Sequence, residues 1–150
     1  MRVVVQRVQR CSVEVAGQLI GEIGKGLAIL LGVEDADTQE DIDWLCGKIS
    51  RLRIFDDENG VMNFDIQQAA GRAIVISQFT LYASTKKGNR PSYIRSADEA
   101  VARPMYEKFL ATLSATLGAE VEHGEFGADM QVSLVNDGPV TICIDSKNRE

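Results

Sequence analysis

Apolar positions set the first boundaries along the chain. Val3-Val4-Val5 through Val8, then Ser12-Val13-Glu14-Val15, show the β-branching and alternation of paired strands, with Arg10-Cys11 between them. After a turn at Gly17, "LIGEIGKG" leads into Leu27-Ala28-Ile29-Leu30-Leu31-Gly32-Val33. That run lacks polar alternation, so it predicts a central strand buried on both faces. The glycine-rich "GEIGKG" then joins two strands as a hairpin loop and is no phosphate-binding loop, which would join a strand to a helix. Thr38 with Asp41 resembles a capping box, and Ile42, Leu45, Ile49 and Leu52 follow at helical spacing. "RIFDDENGVMNF" reads as strand, Asn-Gly turn, strand.

Gly71 precedes a second buried strand, Ala73 to Phe79, and the polar loop "STKKGNRPS" follows it. Ser96 with Glu99 predicts another capped helix, with Val101, Met105, Phe109, Leu113 and Leu117 on one face. Pro104 inside that pattern marks a kink or a restart. The chain closes with "MQVSLV", the turn residues "NDGP", and "VTICI". Many strands and two clear helices imply an α+β fold in one domain.

Composition narrows the class. The 150 residues are 45% hydrophobic and 25% charged, as in an ordinary globular chain. No apolar run is long enough to span a membrane, and the N-terminus is no signal peptide. Cys11, Cys46 and Cys143 are odd in number and lack metal-type spacing, which suits buried thiols in a reducing compartment and hence the cytoplasm. A net charge of −6 argues against a protein that grips a long stretch of nucleic-acid backbone, but not against one that touches the tip of an RNA.

Most enzyme signatures are missing. His123 is the only histidine and reads as a solvated strand residue, and no Ser-His-Asp set, HExxH or P-loop is present. The acidic run Glu34-Asp35-Ala36-Asp37 reads as a solvated loop. Polar chemistry concentrates in "SQFTLYA", Ser77 to Ala83, at the end of an apolar strand where side chains and backbone N–H groups emerge from a rigid scaffold. Taken alone, that string is a strand end with local hydrogen bonds, and "NDGPVT" is a turn.

Together with "ADMQVSL", "RPSY" and the N-terminal "QRV", the two strings resemble the D-aminoacyl-tRNA deacylase (D-tyrosyl-tRNA deacylase) family. The likeness runs over residues 1–145 and leaves 146–150, "SKNRE", as a tail. It implies a compact β-barrel-like core of mainly antiparallel strands with helices packed on one side. It also implies hydrolysis of the ester between a D-amino acid, or glycine mischarged on tRNA(Ala), and the terminal adenosine of tRNA, with no metal or other cofactor. The expected partners are the aminoacyl-tRNA acceptor end and a second copy of the chain, with each active site at the homodimer interface.

Residue roles follow from the same resemblance. Backbone N–H groups of Phe79 and Thr80 suit a developing oxyanion, the largest single aid in ester hydrolysis. The Thr80 hydroxyl as nucleophile is the competing reading, weakened because no histidine or lysine neighbours it in sequence. Ser77 and Gln78 would orient ester and ribose. The resemblance implies a cis Gly138–Pro139 bond whose carbonyls enter the partner's pocket, accept from the substrate ammonium and exclude an L side chain, with Arg7 holding the loop. Phe126 and Met130 are candidates for the adenosine pocket or for plain core packing. A non-catalytic nucleic-acid-binding module of the same fold is the alternative, with Lys86, Lys87, Arg90 and Arg95 as its only basic cluster.

Overall fold

In the computed structural model, which describes all 150 residues, one long strand organises the molecule. Strand β1 (Arg2–Val15) pairs antiparallel with three others. Its first half lies beside β3 (Gly26–Gly32) and its second half beside β2 (Gln18–Ile23). Strand β8 (Met130–Asp145) runs along its other edge from Val15↔Met130 to Arg2↔Asp145. Arg10-Cys11 therefore does not separate two strands. The chain stays extended there and exchanges one neighbour for another, which curls the sheet. Likewise "NDGP" is no turn between two strands. Gln6 pairs with Thr141 and Val8 with Asn136, so Asp137–Val140 bulge out of one continuous strand opposite Arg7.

Strand β6 (Arg72–Ser77) lies parallel to β3, and β7 (Glu122–His123) parallel to β6, which makes a six-stranded mixed sheet. Parallel neighbours need crossovers. The first carries α1 (Gln39–Ile49) and the small hairpin β4 (Phe55–Asp56) and β5 (Met62–Phe64); the second carries α2 (Glu99–Leu117). Both helices cover one face, where Val3, Val5, Leu27, Ile29, Leu31, Ala73 and Val75 meet Ile42, Leu45, Phe109 and Leu113. On the opposite face Val8, Cys11, Val13, Ile23, Ala28, Ile74 and Ile76 form a second core inside the nearly closed, barrel-like sheet. Strand β3, buried at six of its seven positions, is the central strand that its unbroken apolar run requires.

Helix α1 has the expected Thr38–Asp41 capping box. Helix α2 instead begins after Asp98, which holds the N-cap position without a side-chain cap bond, so Ser96 plays no such part, and the helix passes through Pro104 without a break. Its buried face is Ala102, Tyr106, Phe109 and Leu113, while Val101 is exposed.

The loop before α1 also departs from expectation. Asp37 is buried and pairs with the equally buried Met1 ammonium. That ammonium also donates to Ser146 Oγ (2.9 Å), which donates to Asp41 Oδ1 (2.7 Å), while Lys147 Nζ reaches Asp41 Oδ2 (2.7 Å). Burial pushes the Asp41 carboxyl up, but hydrogen bonds from Lys147, Ser146 and Thr38 outweigh it and leave its pKa below the usual range. Asp37, with burial dominant, is shifted up. The two chain ends are thus locked onto the loop and start of α1.

Candidate active site

The end of β6 is shaped by what lies beneath it. Gln78 N–H donates to Leu31 O (2.7 Å), extending the β3–β6 ladder one step. The backbone then turns into a short 3-10 helix, Phe79–Tyr82. Gly32 makes this possible, because a Cβ there would stand 3.1 Å from both Gln78 O and Leu81 Cβ. Tyr82 is buried against it, with the Arg2 guanidinium 4.6 Å and that of Arg95 5.4 Å from its ring centre. Arg2 also donates to Leu81 O (3.1 Å) and to Asp145 Oδ2 (2.7 Å). The turn is therefore held from below and from the side. The N–H groups of Phe79 and Thr80 open the helix and have no acceptor within it.

Beside this turn lies a cleft of about 510 Å³ between the ends of β3 and β6, the start of α2 and the segment entering β8. Ser77, Gln78, Phe79, Phe126 and Met130 all line it, so the fold gathers five of the residues singled out from sequence. Thr80 sits next to it, its hydroxyl accepting from Gln78 Nε2 at 2.6 Å. Phe126 is half-buried, packed on Tyr106 (5.5 Å between ring centres) and under the Arg103 guanidinium (4.8 Å). Tyr106 is in turn fixed by its hydroxyl bond to Val75 O (2.8 Å), and burial raises its pKa. Tyr93 and Tyr106 are wall residues without a role in the sequence reading, although Tyr93 belongs to "RPSY". His123 is exposed, its Nδ1 beside Gly124 O, and does not line the cleft.

Arg7, Gly138 and Pro139 lie elsewhere. Across the sheet Arg7 stands level with Leu27 and Ala73, four residues before Ser77, or roughly 13 Å along the strands. Arg7 is buried and its guanidinium faces the bulge. Nε donates to Asp137 O and contacts Asp137 Oδ2, both at 3.2 Å, and Nη1 donates to Ile54 O (2.7 Å) and Asp56 Oδ1 (3.2 Å). Gly138 has φ +118°, and a Cβ there would meet Val140 Cγ2 at 2.9 Å and Arg7 Nη2 at 3.1 Å. The Gly138–Pro139 bond is cis, and both residues are exposed.

A protein-family model described as D-Tyr-tRNA(Tyr) deacylase matches residues 4–145. The chain belongs to this family. Among curated relatives, a D-aminoacyl-tRNA deacylase of Bacteroides fragilis (strain YCH46) is 62% identical over 150 residues, covering 100% of both chains. One of Dechloromonas aromatica (strain RCB) is 60% identical over 147 residues, 98% of each. A solved structure titled c-Myc DNA Unwinding Element Binding Protein matches with TM-score 0.90 and 39% identity over 97% of this chain and 98% of its own. A second, of a probable eukaryotic D-amino acid tRNA deacylase, has TM-score 0.82 at 16% identity over 95% and 97%, and it establishes likeness of fold. No helix of the family member described above is long and apolar enough to cross a membrane, and no group of three or more His, Cys, Asp or Glu side chains converges as a metal site would require.

Proposed function

We propose that the chain edits D-aminoacyl-tRNA as a chirality filter whose cleft is completed by a second copy of itself. Family membership and the curated relatives make it a D-aminoacyl-tRNA deacylase, a hydrolase of the aminoacyl ester. The observation that carries the mechanism is the 3-10 turn at the mouth of an apolar cleft, which presents two free N–H groups on a rigid strand end. An aminoacyl ester is already activated. Donors aimed at its developing oxyanion supply the largest share of catalysis, and they cost no reorganisation when prepositioned. The Thr80 hydroxyl already accepts from Gln78 and has no base beside it, so the backbone is the working part. The substrate's ribose 2′-hydroxyl positions the water, Ser77 and Gln78 orient ester and ribose, and Phe126 with Met130 holds the adenosine.

Selectivity rests on Gly138 and Pro139. They project from the edge strand, too far along the sheet to reach their own cleft, while Arg7 braces the bulge from behind. In an isologous dimer each bulge enters the partner's cleft. There its carbonyls receive the substrate ammonium, and its backbone occupies the space an L side chain would need. Discrimination is by exclusion. Glycine has no side chain to exclude, so glycyl-tRNA(Ala) is a substrate too. The charged tRNAs of the cytoplasm are the pool on which the filter acts.

Side-by-side ester-loss assays on D-tyrosyl-, glycyl- and L-tyrosyl-tRNA test this reading. Loss of the first two with the third spared is expected. Cleavage of the L ester at the D rate, or sparing of glycyl-tRNA, overturns the exclusion account. A second reading, a non-catalytic nucleic-acid-binding module, draws on the name of the 39%-identical structure, a c-Myc DNA Unwinding Element Binding Protein. It predicts tRNA retention with every ester intact.

A further inference from the structure

The loop that follows the active-site turn is unusual in its charge. In a chain of net charge −6, the stretch between Asp65 and Asp98 contains no acidic residue and five basic ones. Two of these are neutralised, Arg72 by Glu122 (2.8 Å) and Arg95 by Glu34 (3.2 Å). The other three, Lys86, Lys87 and Arg90, are exposed and enter no ion pair. They sit in one loop whose base is closed by a reciprocal pair of bonds between Ser84 and Ser92 (2.8 and 2.9 Å). The loop thus leaves the 3-10 turn and returns to the cleft at Tyr93.

At that return point Tyr93 meets Phe79 edge-to-face, with ring centres 5.1 Å apart and planes at 74°. Both line the cleft, yet Phe79 remains 56% exposed and Tyr93 39%. An aromatic pair left in water at the lip of a cleft, next to three unpaired cations, is what single-stranded nucleic acid requires. Bases stack on the rings while the backbone follows the positive charge.

We propose that this lip and loop form a second subsite, one that grips the unpaired 3′ strand of tRNA just before its terminal adenosine. The base preceding the adenosine stacks on the Phe79–Tyr93 pair, and the adjoining phosphates lie against Lys86, Lys87 and Arg90. The inference rests on the deacylase reading, because the adenosine in the cleft fixes the polarity of the strand. It also reconciles an acidic protein with an RNA substrate. The local positive charge suffices for one short strand, and the rest of the surface repels nonspecific duplex.

The test compares two substrates of the full-length protein, D-tyrosyl-tRNA and 3′-O-D-tyrosyl-adenosine, which lacks everything the subsite would touch. The variants are K86A/K87A/R90A, Y93A, and the conservative K86R/K87R/R90K and Y93F. On the tRNA substrate, K86A/K87A/R90A and Y93A should each lower kcat/KM about ten- to a hundredfold, chiefly through KM, and the conservative variants should restore most of it. On the adenosine ester K86A/K87A/R90A and K86R/K87R/R90K should match the wild type within about twofold, while Y93A, in the cleft wall, should lose less there than on the tRNA. The slope of log kcat/KM against log salt for the tRNA should become shallower by about 2 in K86A/K87A/R90A, at roughly 0.7 per lost phosphate contact. Equal losses on both substrates, or an unchanged salt slope with unchanged tRNA cleavage, overturn the subsite. A wild type that cleaves neither D ester overturns the deacylase reading itself.

Discussion

Replacing Arg7 by methionine removes the brace behind the Gly138–Pro139 bulge while keeping most of the side chain's apolar stem. The guanidinium is 7% exposed and holds two backbone carbonyls, Ile54 O and Asp137 O, at 2.7 and 3.2 Å. Hydrogen bonds to a charged group are worth about 1.5–3 kcal/mol each, and removal leaves Ile54 O buried without a donor and Asp137 O half-buried without one. Asp56 and Asp137 are far more exposed at the carboxylate and add little. The sum is about 3–5 kcal/mol, the usual cost of breaking a buried charged network from one side. Urea unfolding at fixed protein concentration reads this directly, because the stability of any chain that self-associates depends on concentration. The midpoint should fall with the slope unchanged, and Tm should drop by about 10 °C. Ester loss from D-tyrosyl-tRNA should slow, and discrimination against the L ester should shrink, since the bulge no longer has a fixed position. A stability loss below about 1 kcal/mol together with full D/L discrimination would refute the bracing argument.

Three further outcomes are expected. Thr80→Ala should keep activity within about tenfold, or 1.4 kcal/mol of barrier, and a loss of three decades with the fold intact would make the hydroxyl a nucleophile after all. Asp41→Asn should destabilise most at neutral pH: a carboxyl held below its usual pKa contributes fully above the unfolded value of about 3.9 and loses that contribution as pH falls. Wild-type and variant melting curves should therefore begin to converge as pH drops below about 4 and meet only well below it, and a gap that widens in acid would contradict the assignment. Tyr82→Phe should be neutral or stabilising by about 1 kcal/mol in chemical denaturation, because the hydroxyl is buried with no partner. A loss of that size would contradict the reading of that hydroxyl as unpartnered.

Much of the fold was legible because burial writes itself into periodicity. The unbroken apolar run at Leu27–Val33, the Thr38–Asp41 box and the alternation in β1 each have a single physical solution. What misled was long-range. Nothing local distinguishes a turn between two strands from a bulge within one, so "NDGP" revealed its role only once Gln6↔Thr141 and Val8↔Asn136 fixed the register. The same holds at Arg10-Cys11, where polarity marks a change of neighbour and not a chain reversal. Asp37 looked solvated because its partner, the Met1 ammonium, lies 36 residues away and is no side chain. Ser96 is not the cap because the first helical residue is Glu99 rather than Ala97, whose N–H still ties the preceding chain to Val33 O. Of the site, the residue types of "SQFTLYA" were visible, whereas the tyrosines that wall the cleft came from a loop and a helix face that only packing brings there.

The central claim is that each cleft is completed by the other chain, and complementation between two damaged copies tests it most directly. Phe79→Pro removes one N–H from the turn at a position where proline fits the first residue of a helix. Gly138→Ala places a Cβ 2.9 Å from Val140 Cγ2 at a φ of +118°, which displaces the bulge. Each variant alone should be impaired on D-tyrosyl-tRNA. If each cleft is completed across a dimer, co-expression gives mixed dimers in which the intact turn of one chain faces the intact bulge of the other. The account predicts that D-selective ester loss reappears in those mixed dimers. Activity no greater than the sum of the two separate variants would contradict it.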